Sequence, residues 1–323
     1  MKKSVLNENL LHFLKLNFPE EAVRVDQITT HLLLDRKAAY RRIRGETCFT
    51  LDEAGILSSK MGISLDNISR IPASIEESPI YMQAITPPNP GPKQIKDNFI
   101  LLRDALKNIA TYNYSEYGSA CNSLNTVLLM GYTRLVRFYY FKSIHQLNME
   151  ATYKHYEDLP LRMDISSIMN EIVDYSSEIK NVSIIWDMRV IENLIHDIEF
   201  FRDGGFIETE SILELKKEIL SFLDKIERLT ISGTNEHNNV FSLYLCKSHI
   251  NANYYYIYSP ELYYGSLTLF YMSSLKAYNK HTYMRVQEWV NSFKKMSTLI
   301  SRSGAIERNV FFKKQRDLIN MLL

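Results

Sequence analysis

The distribution of proline constrains the fold of this 323-residue chain more than any other sequence feature. Six of its nine prolines lie between Pro72 and Pro92, and this segment ends in the sequence PPNPGP. Proline lacks the amide hydrogen and has a fixed φ, so such a segment cannot be a helix and is stiff and extended where it does not turn. The length also favours two domains. We therefore predict an N-terminal domain over residues 1–70, a proline-rich linker over 71–95 and a larger domain over 96–323.

The larger domain has mainly helical periodicity. Apolar residues at three- and four-residue spacing predict helices over 95–112, 125–146, 165–179, 186–202 and 209–229, and again from about Leu267 to Ile319. Aromatic and β-branched residues over 240–245 and 254–258, separated by a polar stretch, predict a β-hairpin. The expected fold class is mostly α, with an α-rich larger domain that contains one β-hairpin.

Composition excludes several classes of protein. The formal net charge is +1 and 46% of the residues are hydrophobic, which rules out a disordered chain and a polybasic coat for nucleic acid. Three widely spaced cysteines predict buried, reduced thiols rather than disulfides. The apolar start of the chain is interrupted at Asn7, and the most apolar stretch, 127–141, carries Arg134 and Arg137. We therefore expect a soluble, cytoplasmic protein with no membrane partner.

One short helix of the N-terminal domain is strongly basic. Asp35 is a suitable N-cap, and the helix over 36–44 is stopped by Gly45. At 100° per residue, four cations and one tyrosine fall within an arc of about 140°. These residues are Arg36, Lys37, Tyr40, Arg41 and Arg44.

Four further helices are expected around it. The first is apolar over 10–18 and ends at Pro19, and the second covers 26–34. The fourth opens with a capping-box pattern, Thr50 to Glu53, and runs to Met61. The fifth begins near Ser64. The N-terminal domain is thus predicted to hold five short helices, of which the third is basic.

The segment from Ile28 through Arg44-Gly45 to the closing sequence MGISLD at 61–66 resembles the Cro/C1-type (XRE-like) helix-turn-helix domain of bacterial regulators. The resemblance covers about a fifth of the chain and implies a lambda-repressor-like fold. Leu33 stands where the family usually has the turn glycine, and Thr29 stands where it usually has alanine. Arg42 occupies a position that is usually apolar and inward, and Ile43 occupies an outward one.

The resemblance implies a DNA-binding transcriptional regulator whose recognition helix, 36–44, enters the major groove. Arg36, Lys37, Tyr40 and Arg41 become candidates for contacts with base edges, while Arg44 and Arg24 would contact phosphate. Domains of this type usually act as dimers, so a homodimer on double-stranded DNA is expected. Two alternatives remain: the basic face is simply solvated, or the domain is a protein-interaction module without DNA readout.

Two features of the larger domain suggest a partner or an effector. Tyr254, Tyr256 and Tyr258 belong to a tyrosine-rich region that would suit a pocket for a small molecule or peptide, or a dimer face, although packing within a hairpin explains them as well. Seven cations and one anion between Lys294 and Arg316 would suit flanking phosphates or a solvated helix face.

No enzyme motif is present in the sequence, so no catalytic residue, metal or cofactor is predicted. Cys246 and His249 are close in the chain, but a lone pair at this spacing is more often structural. The polar cluster of His196, Asp197 and Glu199 fits a solvated helix face. The sequence therefore favours a two-domain regulator whose larger domain dimerises or senses a signal.

Overall fold

The computed structural model describes residues 4–18, 20–61, 65, 80, 82–84, 92–147, 153–160, 163–270 and 273–322. The chain divides into two compact units, Met1–Tyr81 and Met82–Leu323. Most of the predicted linker lies outside the described residues. Of its described part, Gln83–Ala84 forms a short strand, and Pro92 opens a helix, a position where the missing amide hydrogen has no cost.

The N-terminal unit is helical throughout its described residues. Its helices are α1 (Val5–Asn17), α2 (Glu21–Leu32), α3 (Arg36–Ile43) and α4 (Leu51–Met61). Each contributes to one core, composed of Leu10, Leu14, Val25, Ile28, Ala39, Ala54 and Leu57. The predicted fifth helix lies outside the described residues except for Leu65, which packs against this core. The first four predicted helices are present.

The larger unit is built on a mixed β-sheet. Its strands are β1 (Gln83–Ala84), β2 (Glu116–Cys121), β3 (Asn181–Asp187), β4 (Val240–Cys246), β5 (Asn253–Ser259), β6 (Leu262–Phe270), β7 (Ser273–Ala277) and β8 (Ser297–Leu299). Their order in the sheet is β1-β7-β6-β5-β2-β3-β4-β8. The pairs β2–β3 and β3–β4 are parallel and the other pairs are antiparallel.

Helices connect the parallel strands and cover the sheet. They are α5 (Pro92–Ala110), α6 (Thr126–Leu129), α7 (Thr133–Leu147), α8 (Met163–Ser177), α9 (Val190–Asp203), α10 (Thr209–Ser232), α11 (Lys280–Lys295) and α12 (Ala305–Met321), with a 3-10 turn at Tyr156–Asp158. Alternate residues of the central strands face opposite layers. Trp186 and Leu243 pack with α5 to α10 and α12, whereas Ile185 and Cys246 pack with α11.

The prediction of a mostly α fold with one hairpin is therefore wrong. The two central strands β2 and β3 were missed because both of their faces are buried, so they lack the alternation that marks a half-exposed strand. The sequence of β2, EYGSAC, is also rich in small residues of low strand propensity. The helix predicted over 186–202 begins only at Val190, since Trp186 completes β3.

The predicted hairpin partners do not pair with each other. β4 pairs with β3 and β8, while β5 pairs with β2 and β6. The hairpin at this point of the chain is β5–β6, joined by the turn at Pro260-Glu261. The helix predicted from Leu267 is also wrong, because strands continue to Ala277 and α11 begins at Lys280.

Two expectations from composition can be compared with the structure. Cys121 and Cys246 are buried, but Cys48 is exposed, so the expectation of three buried thiols is wrong for Cys48. No helix among the described residues is long and apolar enough to cross a membrane.

The packing of β2 against β5 predicts that Gly118 tolerates no side chain. A Cβ at this position would overlap the ring of Tyr256, whose hydroxyl donates to Glu116 Oε1 at 2.6 Å. We expect Gly118→Ala to lower the free energy of unfolding of the larger unit by about 1–3 kcal/mol or more. Urea unfolding followed by tryptophan fluorescence measures this unit, because both tryptophans lie in it.

Gly131→Ala is the matched control. Its Cβ would have Val173 Cγ2 as its nearest neighbour, at 3.9 Å, so the expected change is within about 0.5 kcal/mol. Equal effects of the two substitutions would show that the ring of Tyr256 does not confine Gly118.

Candidate nucleic-acid interface

The turn between α2 and α3 is three residues long, Leu33 to Asp35. Asp35 Oδ1 accepts a hydrogen bond from Ala38 N at 2.7 Å, which confirms its predicted role as the N-cap of α3. Leu33 adopts the left-handed conformation, with φ 51°, and its side chain points into solvent. The backbone here therefore has the conformation that favours glycine, although the residue is leucine.

An ion pair between α3 and α4 fixes the rotation of the basic helix. Arg42 Nε and Nη2 donate to the two carboxylate oxygens of Glu53 at 2.9 and 2.6 Å, and both side chains are mostly buried. Glu53 also accepts from Thr50 N, while Glu53 N donates to Thr50 Oγ1, which confirms the predicted capping box. Arg42 therefore faces α4 and is not available at the outer surface of α3.

The electrostatics of Glu53 agree with this geometry. Burial by itself raises the pKa of the Glu53 carboxyl, but hydrogen bonds from Arg42 and from the Thr50 backbone outweigh it. The pKa of Glu53 consequently lies below its ordinary value of 4.5, and the carboxylate form is stabilised in the folded unit.

The opposite side of α3 exposes the cations that the sequence singled out. Arg36, Lys37, Arg41 and Arg44 are all exposed. Tyr40 is half-buried, and the guanidinium of Arg44 lies over its ring at 5.3 Å. The structure thus brings these five residues together on α3 and its C-cap residue, Arg44, and places the sixth candidate, Arg24, on α2.

Two of the four cations have acidic neighbours on α2. Arg36 lies 3.3 Å from Asp26 and Arg44 lies 3.8 Å from Glu21, and all four side chains are about half exposed or more. Such exposed pairs contribute little stability. Lys37 and Arg41 have no ion-pair partner among the described residues. The sequence did not identify Asp26 and Glu21 as neighbours of these cations. The signal that could have identified them is the presence of acidic residues on α2, the helix that precedes α3.

Arg24 has a structural contact. It is half-buried in α2, and its Nη1 donates to the carbonyl oxygen of Phe18, the C-cap residue of α1, at 2.5 Å. This bond connects the end of α1 to α2 and satisfies a carbonyl at the helix terminus.

The tyrosines proposed as a ligand pocket lie in the core of the larger unit. Tyr254, Tyr256 and Tyr258 alternate along β5 and face α11. Tyr254 contacts the rings of Trp289 and Phe293, and the other two contact Tyr283. Packing against a helix therefore accounts for this aromatic cluster.

Two cations of the basic C-terminal segment have partners within the larger unit, whereas Lys295, Arg302, Lys313 and Lys314 are exposed. Arg308 is buried and donates to Ile300 O at 2.8 Å, and Arg316 is paired with Asp224 and Glu227. The polar cluster of His196, Asp197 and Glu199 was expected to lie on a solvated helix face. Asp197 pairs with Lys142, whereas His196 and Glu199 line a cleft. No group of three or more histidine, cysteine or acidic residues within the described part of the chain is placed to hold a metal ion.

Comparison with known proteins adds no relative: no family model, no curated protein and no solved structure matches the chain.

The conformation of Leu33 predicts a stabilising substitution. Leu33→Gly removes the cost of a left-handed residue with a Cβ, about 1–2 kcal/mol, and part of this gain is offset by the greater freedom of glycine in the unfolded chain. We expect the free energy of unfolding of the N-terminal unit to rise by up to about 1 kcal/mol. Amide hydrogen exchange of α2 to α4 measures it.

Leu33→Ala provides the comparison. It shortens a side chain that is 90% exposed but retains the Cβ, so little change is expected. If alanine stabilised the unit as much as glycine, the exposed leucyl side chain rather than the backbone would be the source of the cost.

The Arg42–Glu53 pair predicts a pH-dependent contribution to stability. Because the pKa of Glu53 is depressed in the folded unit, this contribution is present above pH 4.5 and is lost as the pH falls through the folded-state pKa. We expect Glu53→Gln to lower the free energy of unfolding by about 1–3 kcal/mol at neutral pH and to flatten its decline in acid. Asp52→Asn, an exposed change in the same helical turn, should have a smaller effect; similar pH profiles for both variants would contradict the role of Glu53.

Proposed function

We propose that the chain is a sequence-specific DNA-binding regulator whose helix α3 enters the major groove of double-stranded DNA. The observation that carries this proposal is the pair of exposed cations Lys37 and Arg41, which have no ion-pair partner among the described residues and lie on a helix of fixed rotation. Arginine is the residue that most often makes specific contacts with guanine in the major groove. We assign Arg41 and Lys37 to base edges.

Arg36 and Arg44 support the proposal in a different way. Their pairs with Asp26 and Glu21 are long and exposed, so phosphate oxygens can replace these carboxylates at little cost. Tyr40, held beneath Arg44, offers a hydroxyl donor at the same face. We assign these three residues to positioning α3 on the duplex, with Arg36, at the N-terminus of α3, and Tyr40 also as candidates for contacts with bases.

The larger unit is assigned to dimerisation or signal sensing. A single short recognition helix rarely supplies sufficient affinity alone, and a dimer on two half-sites one helical turn apart supplies the remainder. The proposal places the protein in the cytoplasm as a transcriptional regulator without enzymatic activity.

The decisive substitution is Arg41→Ala. The full-length protein is first used to select duplexes from a randomised library, and affinities for the enriched sequence are then measured by fluorescence anisotropy at two salt concentrations. Loss of one bidentate base contact, about 1–3 kcal/mol, corresponds to about 5- to 150-fold weaker binding. Because the side chain of Arg41 is exposed, its removal should leave the N-terminal unit folded.

Lys60→Ala is the matched control, since it removes an exposed cation of α4 and should leave specific affinity nearly unchanged. Failure to enrich any sequence, together with binding that does not depend on salt, would contradict DNA readout and favour a protein-interaction module.

A further inference from the structure

The carboxyl ends of the parallel strands β2, β3 and β4 form one edge of the larger unit. In open α/β sheets the crevice outside these ends is the usual place for a ligand. Here β3 ends in Asp187, Arg189 immediately precedes α9, and His249 follows β4 by three residues. Three charged or ionisable side chains therefore meet at this edge although they come from two different strand ends.

Asp187 is the buried centre of this group. Its side chain is only 4% exposed, and it accepts three hydrogen bonds: Arg189 N at 2.9 Å to Oδ1, and His249 Nδ1 at 2.8 Å and Ile250 N at 3.0 Å to Oδ2. Burial raises the pKa of the Asp187 carboxyl, but these hydrogen bonds outweigh it, so the pKa lies below the ordinary value. Asp187 is thus a carboxylate that orients the ring of His249.

The side chain of Arg189 lies against the ring of His249. Its Nη2 lies 2.8 Å from the same ring nitrogen, His249 Nδ1. That nitrogen cannot both donate to Asp187 and accept from Arg189. Donation to the buried carboxylate prevails, because the alternative places two lone pairs 2.8 Å apart. The next contact of the guanidinium, Nε to Asp187 Oδ1, is 3.8 Å, beyond hydrogen-bonding distance.

The guanidinium and the imidazole are both about half exposed, so a ligand can reach them. With Nδ1 donating to Asp187, Nε2 of His249 is the ring nitrogen left for a ligand; it donates to an anion in the imidazolium form and accepts a hydrogen bond in the neutral ring. Arg189 retains several N–H groups in a planar fork, the arrangement that matches a carboxylate or a phosphate. Together they form a recognition point for an anion.

A cleft of about 370 Å³ has Arg189 in its lining, and His249 lies next to this arginine. One wall is a single face of α9, which presents Glu192, Asn193, His196 and Glu199 after Arg189. Leu318 and Met321 of α12 form the apolar part of the other wall. The cleft therefore has a guanidinium at one end, two carboxylates, an amide and an imidazole along α9, and an apolar wall opposite.

We propose that this cleft binds a small polar molecule that carries a phosphate or carboxylate group. Arg189 and His249 contact the anionic group, and Asp187 positions both. Side chains of α9 hydrogen-bond to the hydroxyl or amino groups of the rest of the molecule. The site lies wholly within the larger unit and does not depend on DNA binding by α3.

The test uses the full-length protein and two probes, sodium phosphate and sodium acetate, titrated at constant ionic strength maintained with sodium chloride. Thermal unfolding followed by tryptophan fluorescence reports the larger unit alone, and a bound anion at concentration c stabilises it by RT ln(1 + c/Kd), so the rise of the midpoint with concentration yields the Kd. We expect at least one probe to raise the midpoint in this way, with at least a tenfold higher Kd in Arg189→Ala.

Two further variants keep the test decisive. Arg202→Ala removes a half-buried cation from the other end of α9, where it pairs with Asp203, and should leave the Kd unchanged. Arg189→Lys keeps the charge but not the fork, so it should weaken binding less than alanine does, and it replaces Arg189→Ala should that variant fail to fold.

The two probes distinguish the sources of the anion: stabilisation by phosphate alone assigns a phosphate ester, and stabilisation by acetate alone assigns a carboxylate. The proposal is overturned if neither probe raises the midpoint above that in sodium chloride, or if Arg189→Ala and Arg202→Ala bind equally well. Neither result bears on DNA binding, which the Arg41→Ala experiment tests separately.

Discussion

The ion pair between Arg42 and Glu53 determines what the N-terminal unit can present to a partner. An eight-residue helix that contains three arginines and a lysine could expose any of them, and its hydrophobic contribution to the core is small, with Ala39 as its one fully buried side chain in the described structure. The bidentate contact turns Arg42 towards α4 and thereby turns Lys37 and Arg41 outwards. Because Glu53 also closes the capping box of α4, the rotation of α3 and the start of α4 depend on the same carboxylate.

The features that the sequence predicted correctly are local. The Asp35 cap, the Thr50–Glu53 box and the position of α3 each depend on a few consecutive residues, and the structure has all three. Arg42 was the exception: its departure from the family pattern was visible, but its partner lies eleven residues away, and helix periodicity alone could not identify Glu53. The role of Arg24 was missed for the same reason, since its acceptor is a backbone carbonyl of another helix.

The sheet of the larger unit was not predictable in this way. β2 pairs with β3 and β5, strands that begin 65 and 137 residues later in the chain, so its small residues make sense only beside those neighbours. Gly118 is compatible with a central strand because the ring of Tyr256 fills the space that a side chain would occupy. The cluster of Asp187, Arg189 and His249 likewise depends on the pairing of β3 with β4, which brings two distant strand ends together. Sequence proximity instead linked His249 to Cys246, which is buried in the core on the α11 side of the sheet.

The acidic residues of α2 have a consequence for selectivity. Asp26 and Glu21 stand beside Arg36 and Arg44 and partly neutralise the surface that faces the duplex in the proposed complex. Any DNA sequence can offer phosphates, so cations without such neighbours would strengthen binding to every site equally. By reducing this general attraction, the two carboxylates would increase the share of the binding free energy that comes from the proposed contacts of Lys37 and Arg41 with particular bases. A genome supplies an enormous excess of competing sites. The ratio of specific to non-specific affinity, rather than the absolute affinity, therefore decides where a regulator binds.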